Sequence, residues 1–200
     1  MTVKQTEQAS PPLTAGQEHR VIVAGFGGQG VLTLGKLLCT AAMGEGRLVT
    51  YFPSYGAEVR GGTANCQVVI SSGTIYSPLV EEADSLIILN RLSYERFMPR
   101  LKPGGLVLVN RTGVDMDEVD TPSDGRTLAL PAVERAAQMG NVRVGNVIML
   151  GAFVETTSLL QPDSCRAALE GVFGRSKADV LELNLKAFEE GRQMARDALP

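Results

Sequence analysis

The sequence predicts an α/β fold: a single Rossmann-like domain whose mostly parallel sheet is flanked by helices. Two observations carry this prediction. A short β-branched segment at residues 20–24 runs into a glycine-rich turn and then into a helical pattern at 31–43. Further short apolar segments alternate with helical ones along the rest of the chain. With 200 residues, the chain suits one domain with a proper core.

The predicted elements follow in order. Strands are expected at 20–24, 47–52, 66–71, 85–90 and 106–110, and helices at 31–43, 94–100, 132–139, 146–157, 163–173 and 177–198. The first strand, helix and second strand predict a βαβ unit, with Pro53 ending its second strand. Smaller features are a short strand at 74–76 pairing with the third strand, a turn at 102–105, and an irregular acidic excursion at 111–131 that ends in an edge strand at 128–130. Residues 1–19 are expected to form a disordered leader before a domain at 20–200.

Composition excludes several classes of protein. A net charge of −3 and a pI near 5.3 argue against a general nucleic-acid binder. No apolar run is long enough for a membrane span. Three scattered cysteines without a C-x-x-C pair argue against disulfides and against an iron–sulfur cluster held by this chain, and they fit a reducing cytoplasm. The single histidine, His19, falls in the predicted leader, so no metal site is expected.

The first candidate site is the turn G-F-G-G-Q-G, which gives Gly25, Gly27, Gly28, Gln29 and Gly30 as candidate phosphate contacts. Glycines let the backbone approach a ligand closely, and the following helix presents N–H groups to an anion. An autonomous NAD or FAD site would need an acid after the second strand, where Tyr51-Phe52-Pro53 stands instead. The missing acid argues against that site. The three interpretations that stay open are an autonomous nucleotide site, glycines that serve tight packing only, and glycines that hold a phosphate-bearing group at an interface.

The second candidate site is the polar, glycine-rich loop after the second strand, at the same sheet edge as the first loop. It could hold a substrate carboxylate or a partner's charged loop, or Glu58 and Arg60 could form an ordinary surface pair. Its candidate residues are Ser54, Tyr55, Gly56, Glu58, Arg60, Gly61, Gly62 and Thr63.

Four other polar features receive structural interpretations. Asp84 is expected to cap or turn, and the acidic stretch 115–124 is expected to be solvated because it lacks the order of a calcium loop. Asn146 is expected to cap its own helix, and Asn184 to bond a neighbouring element.

These motifs together resemble the gamma subunit of 2-oxoacid:ferredoxin oxidoreductases. The resemblance rests on V-I-V-A-G-F-G-G-Q-G-V-L-T-L-G-K-L-L at 21–38, on the loop Y-F-P-S-Y-G-A-E-V-R-G-G-T-A-N-C-Q-V-V-I-S at 51–71, and on shorter matches up to N-L-K-A-F-E-E-G at 184–191. It covers about 170 residues in the family's order. Val59 and Gly62-Thr63-Ala64 resemble the 2-oxoglutarate, or general 2-oxoacid, branch more than the pyruvate branch.

The resemblance implies a CoA-acylating oxidative decarboxylation that reduces ferredoxin. Thiamine diphosphate with Mg²⁺ would lie between alpha and beta subunits, and 4Fe-4S clusters would belong to the beta subunit or a delta partner. This chain alone is expected to bind no cofactor and to supply no catalytic residue. Its expected role is to support assembly, with CoA contact through the glycine loop. The alternatives from other classes are a stand-alone nucleotide-dependent oxidoreductase and a binding module that uses the 53–65 loop.

Overall fold

A computed structural model describes residues 16–55 and 62–198. The strands are β1 (Glu18–Phe26), β2 (Leu48–Tyr55), β3 (Thr63–Ser71), β4 (Ala83–Ile88), β5 (Leu101–Asn110) and β6 (Arg126–Leu130). The helices are α1 (Val31–Gly44), α2 (Arg91–Phe97), α3 (Ala132–Gln138), α4 (Gly145–Thr157), α5 (Pro162–Phe173) and α6 (Ala178–Ala198). No helix in these ranges is both long and apolar enough to cross a membrane.

The six strands form one sheet in the order β2-β3-β1-β4-β5-β6. Strand β3 is antiparallel to both of its neighbours, and the pairs β1–β4, β4–β5 and β5–β6 are parallel. Five strands therefore run in one direction and only β3 runs against them. The predicted mostly parallel α/β sheet is confirmed, and so is the edge strand near 128–130.

Helices cover the two faces of the sheet unequally. Helices α1, α3, α4, α5 and α6 pack on one face in a single large apolar cluster, and α2 packs on the other. Helix α4 is buried on nearly every side, as expected for a helix that is apolar all round. Its contact with α6 is the most extensive between helices, because Gly151 lies against the backbone of Phe188 and Gly191 lies against the backbone of Ile148. Two glycines thus set the closest approach of the two helices.

The prediction that Pro53 ends β2 was wrong, because the strand continues to Tyr55. Proline is tolerated there because β2 is an edge strand and needs a ladder partner on one side only. The predicted unit of β1, α1 and β2 is confirmed, and its two strands run parallel. The strands are not neighbours in the sheet, because β3 folds back between them and pairs with both.

Other boundaries also shifted. Residues 74–76 form no strand. The expected turn at 102–105 is a bulge inside β5, where Gly104 has φ +74° and the register passes from Leu101 to Leu106 while β4 advances only from Ala83 to Ser85. Strand β1 begins at Glu18, before the predicted domain boundary, so His19 belongs to the sheet. Residues 1–15 lie outside the described part of the chain.

Candidate functional site

The two candidate loops meet at the carboxyl edge of the sheet. Strand β1 ends at Phe26, residues 27–30 make the turn, and α1 begins at Val31. The backbone N–H of Gly27 donates a hydrogen bond of 2.9 Å to the carbonyl of Gly62, directly before β3. The expectation that both motifs share one edge is confirmed, and this is the edge where open α/β sheets bind ligands.

The glycines of the first loop meet different structural requirements. Gly28 and Gly30 have φ of +97° and +77°, in the left-handed region that side chains rarely adopt. A Cβ on buried Gly25 would lie 2.9 Å from atoms of both Leu89 and Val31. A Cβ on Gly30 would overlap the side chain of Asn146. Gly27 and Gly28 themselves are exposed, so the turn presents bare backbone to its surroundings.

The Gln29 side chain braces this loop from within. Its Oε1 accepts hydrogen bonds from the backbone N–H of Phe26 at 2.6 Å and from Nδ2 of Asn90 at 3.3 Å. Its Nε2 donates to the carbonyl of Leu89 at 3.4 Å. The amide thereby ties the end of β1 to the segment after β4. Gln29 holds the shape of the turn, which leaves the loop backbone as the part free to meet a ligand.

Asn146 has a role that sequence reasoning missed. It does not cap α4, whose first turn it occupies without a capping bond; instead its Nδ2 donates to the carbonyl of Gly30 at 3.1 Å. The same carbonyl accepts the first helical bond of α1, from the N–H of Leu34 at 2.9 Å. The sequence signal for this contact was a single asparagine in the first turn of an otherwise apolar helix. Such a residue needs a polar partner when it is buried.

The amino terminus of α1 is open to an anion. Its N-cap residue, Gly30, has no side chain to bond the first N–H groups, and no acidic residue lies in the first turn. Helix N-termini carry unpaired N–H groups and a partial positive charge. The exposed turn and this uncapped helix end therefore offer donors of the kind that hold phosphate oxygens.

Only half of the second candidate site can be described. Ser54 and Tyr55 lie at the end of edge strand β2, and Ser54 is exposed. Gly62 and Thr63 begin the return into β3, where Thr63 pairs with Phe26. The remaining four candidates, Gly56, Glu58, Arg60 and Gly61, lie outside the described residues.

The residues near the position where a dinucleotide site needs an acid make other contacts. The phenol of Tyr51 donates a hydrogen bond of 3.2 Å to the carbonyl of Leu32, so this side chain packs on α1. Glu45 lies beyond the carboxyl end of α1, where its Oε1 accepts from the N–H of Gln161 at 2.7 Å. That places it at the opposite edge of the sheet from the glycine loop. Neither residue can hold the ribose of a nucleotide bound at the loop.

Two further polar residues, Asp84 and Asn184, make contacts that differ from those predicted. Asp84 accepts hydrogen bonds from the Arg20 N–H and from Lys102 Nζ, both at 2.7 Å, so it links strands and does not cap a helix. Asn184 donates to the carbonyl of Val180 in its own helix at 2.8 Å, so the expected bond to another element was wrong.

A cavity of about 850 Å³ beyond β5 is lined by two arginines and four carboxylates, a balance that disfavours phosphate. Its charged residues are Arg91, Arg111, Asp115, Asp117, Glu118 and Glu134.

The three cysteine thiols and the candidate metal ligands of the described residues were compared with the needs of a redox or metal site. Burial raises the pKa of each thiol, Cys39, Cys66 and Cys165, to about 12. All three are buried and unpaired with one another. Within residues 16–55 and 62–198, no group of three or more His, Cys, Asp or Glu side chains could hold a metal ion.

Residues 20–194 match the family described as pyruvate ferredoxin/flavodoxin oxidoreductase. The chain belongs to this family. It is 38% identical over 183 residues to the ketoisovalerate oxidoreductase subunit VorA of Methanothermobacter thermautotrophicus, covering 90% of this chain and 37% of that subunit. It is 34% identical over 177 residues to the 2-oxoglutarate synthase subunit KorC of Methanothermobacter marburgensis, covering 86% of this chain and 94% of that subunit.

A solved member of the family has the same fold. It is the 2-oxoglutarate:ferredoxin oxidoreductase of Magnetococcus marinus with 2-oxoglutarate, coenzyme A and succinyl-CoA bound. The TM-score is 0.84 at 28% identity, over 92% of this chain and 32% of that one. The present chain thus spans about a third of the length of that protein and of VorA, and nearly the full length of KorC. Within the family, the same unit occurs as a separate subunit and as part of a longer chain.

Proposed function

We propose that this chain is the gamma-type subunit of a 2-oxoacid:ferredoxin oxidoreductase, a complex that converts a 2-oxoacid and CoA to an acyl-CoA, carbon dioxide and reduced ferredoxin. The observation that carries the proposal is the joined pair of family motifs at one sheet edge, linked by the Gly27–Gly62 hydrogen bond. The match to a separate subunit over nearly its full length supports the subunit role. Alpha and beta subunits, with a delta subunit in some arrangements, are the proposed partners.

The proposed contribution of the chain to ligand binding is to hold phosphate oxygens of CoA at the amino terminus of α1. The uncapped helix end and exposed Gly27 and Gly28 supply backbone donors. Hydrogen bonds from Gln29 and Asn146 already fix the loop, so binding of a ligand should cost little conformational entropy of the loop. CoA, when bound, supplies the thiol that accepts the acyl group. The bound CoA of the Magnetococcus marinus relative supports this choice of ligand.

The carbon chemistry and electron transfer are assigned to the partner subunits. Thiamine diphosphate with Mg²⁺ and 4Fe-4S clusters need carboxylate and thiolate ligands. The described thiols are buried and protonated. The described ranges contain no group of three or more His, Cys, Asp or Glu side chains placed to hold a metal ion. The residues of this chain therefore bind, orient and assemble, and we assign no proton or electron transfer to them.

For the substrate we propose 2-oxoglutarate or a related 2-oxoacid. The sequence of the second loop, Val59 and Gly62-Thr63-Ala64, supports this branch over the pyruvate branch. The matches to KorC and to VorA support different oxoacids, 2-oxoglutarate and ketoisovalerate. Comparing the kcat/KM of the assembled complex for these two oxoacids and pyruvate tests the assignment, and a preference for pyruvate would contradict it.

Co-expression with alpha- and beta-type partners tests the subunit role. We expect co-purification, CoA-dependent reduction of ferredoxin by the complex, and no turnover by the isolated chain with added thiamine diphosphate. Turnover by the isolated chain, or saturable NAD(P) binding to it in calorimetry, would contradict the proposal and favour a stand-alone oxidoreductase.

A pair of variants at Thr33 tests the phosphate contact. Thr33 occupies the third position of α1, where a glutamate suits the helix dipole but places a negative charge beside the proposed phosphate site. Thr33→Glu is expected to raise the KM for CoA about tenfold in the complex, with the KM for the oxoacid unchanged. Thr33→Gln is the neutral control and should keep the wild-type KM. Equal KM values for CoA in both variants would place CoA elsewhere.

A further inference from the structure

A second polar cavity lies at the opposite, amino-terminal edge of the sheet. It has a volume of about 270 Å³ and is lined by His19, Asp84, Ser85, Lys102 and Arg126 together with the bulge of β5. His19 stands seven residues before Phe26 on β1, which corresponds to roughly 23 Å along the strand. The cavity is therefore separate from the glycine loop, and the proposed function does not use it.

The charge balance of this cavity is positive, although the chain carries a net charge of −3. Asp84 is its one lining carboxylate, and both oxygens are engaged, by the Arg20 N–H and by Lys102 Nζ. Arg126 is exposed and has no ion-pair partner among the described residues. Lys102 and Arg126 together carry more charge than Asp84, and the guanidinium of Arg126 remains a hydrogen-bond donor for an anion in the cavity.

The bulge in β5 contributes backbone N–H groups to the lining of the same cavity. Because the ladder passes from the pair Ala83–Leu101 to the pair Ser85–Leu106, residues 102–105 have no partners on β4. Pairing of β5 with β6 begins only at Leu106 and Arg126. The N–H groups of Gly104 and Gly105 therefore lie outside both ladders, next to Lys102. Backbone concavities of this kind, combined with basic side chains, are typical anion sites.

The half-buried His19 forms one wall of the cavity. Its Nε2 shares a hydrogen bond of 3.0 Å with the hydroxyl of Ser85, and its ring packs edge-on against Phe153 of α4 at 6.2 Å. Burial lowers the pKa of His19, and Lys102 lowers it further, whereas Asp84 opposes the shift. Arg126 from β6 completes the charged groups around the cavity, and α4 contributes the neutral Thr157. An anion here would favour the imidazolium, so anion binding and protonation of His19 would assist each other.

We propose that this cavity binds a small oxyanion of the size of phosphate or sulfate between Lys102, Arg126 and the bulge of β5. Its volume lies below the range of about 300–1,000 Å³ that holds drug-sized ligands, which favours a small anion over a larger ligand. The protonation state of His19 therefore depends on whether the anion is bound.

His19 is the sole histidine of the sequence, so its ring protons give an unambiguous NMR titration on the full chain. Sulfate is the first probe because its charge is constant between pH 5 and 8; sodium chloride at equal ionic strength is the reference. We expect sulfate to raise the pKa of His19 by about half a unit or more, equivalent to roughly threefold tighter sulfate binding to the protonated state. Inorganic phosphate should act in the same direction.

Two variants complete the test. Arg126→Gln removes a charge without breaking an ion pair in the described structure and should abolish the difference between sulfate and chloride. Arg175→Gln removes an exposed arginine that does not line the cavity and should leave the difference intact. Equal His19 titrations in sulfate and chloride for the wild-type chain, or an undiminished sulfate effect in Arg126→Gln, would overturn the proposal.

Discussion

The side chain of Asn146 donates a hydrogen bond of 3.1 Å to the backbone oxygen of Gly30, across 116 residues of sequence. The bond joins the first turn of α4 to the first turn of α1, and Asn146 is only 6% exposed. The most buried helix of the fold thereby holds the end of the glycine loop. This contact fixes the backbone at the end of the glycine loop.

Asn146→Ala should reduce the free energy of unfolding by about 1–2 kcal/mol, because it removes a buried hydrogen bond between elements. Asn184→Ala is the matched control. Asn184 is also a buried helical asparagine, but it bonds its own helix, where alanine is the better helix former. Urea denaturation should show the smaller loss for Asn184→Ala. An equal or larger loss there would argue against a special role for the Asn146 contact.

Gly30→Ala and Gly28→Ala separate backbone strain from crowding. Both glycines have positive φ, but a Cβ on Gly28 meets open space, whereas one on Gly30 overlaps Asn146. We expect a loss of about 1 kcal/mol for Gly28→Ala and about 3 kcal/mol for Gly30→Ala. Combining Gly30→Ala with Asn146→Ala should cost less than the sum of the two single changes. Strict additivity in thermal or urea unfolding would show that the two residues do not interact.

Gly191→Ala tests the crossing of α4 and α6. The added methyl group would overlap the carbonyl of Ile148, so the helices must move apart, at a cost of about 3 kcal/mol. Gly171→Ala in α5 is the control, because nothing lies within 4 Å of its Cβ position. There, alanine should stabilise the helix by about 0.5–1 kcal/mol. Opposite signs of the two changes in unfolding free energy are the expected result.

The stability of the chain should fall as the pH falls below about 6.5, in part through His19. Burial lowers the pKa of His19 in the folded chain, so the unfolded chain takes up the proton at higher pH. Its contribution is therefore fully present above the unfolded pKa and is lost as the pH falls towards the folded pKa. His19→Phe should remove this part of the slope when unfolding free energies at pH 7.5 and 5.5 are compared. An unchanged slope would mean that His19 is not the group responsible.

Two variants in the second loop distinguish assembly from ligand binding. If Glu58 and Arg60 contact a partner subunit, Glu58→Ala and Arg60→Ala should prevent co-purification of the complex. If they contact the substrate carboxylate, the complex should form with a raised KM for the oxoacid. Wild-type assembly together with wild-type kinetics would reduce the two residues to an ordinary surface pair.

Local sequence patterns predicted most helices well and the strand ends poorly. The exception among the helices is α2, which was predicted at 94–100 and spans Arg91–Phe97. The bounds of α4, α5 and α6 came within one residue of prediction, because apolar spacing and capping glycines or prolines are local signals. By contrast, the prediction that Pro53 ends β2 was wrong because the effect of a proline depends on whether its strand is at an edge. His19 was placed outside the domain because its polar neighbours gave no sign that β1 begins at Glu18.

The α/β class, the glycine turn between β1 and α1, and the family of the chain can all be read from the amino-acid sequence, since each depends on residues close together in the chain. The folded chain was needed to see that β3 separates β1 from β2, that Asn146 holds Gly30, and that His19 lies beside Lys102 and Arg126 in one cavity. These relationships join residues distant in sequence. They follow from the packing of whole elements, where burial of the core and pairing of buried polar groups decide between arrangements that local propensity leaves equal.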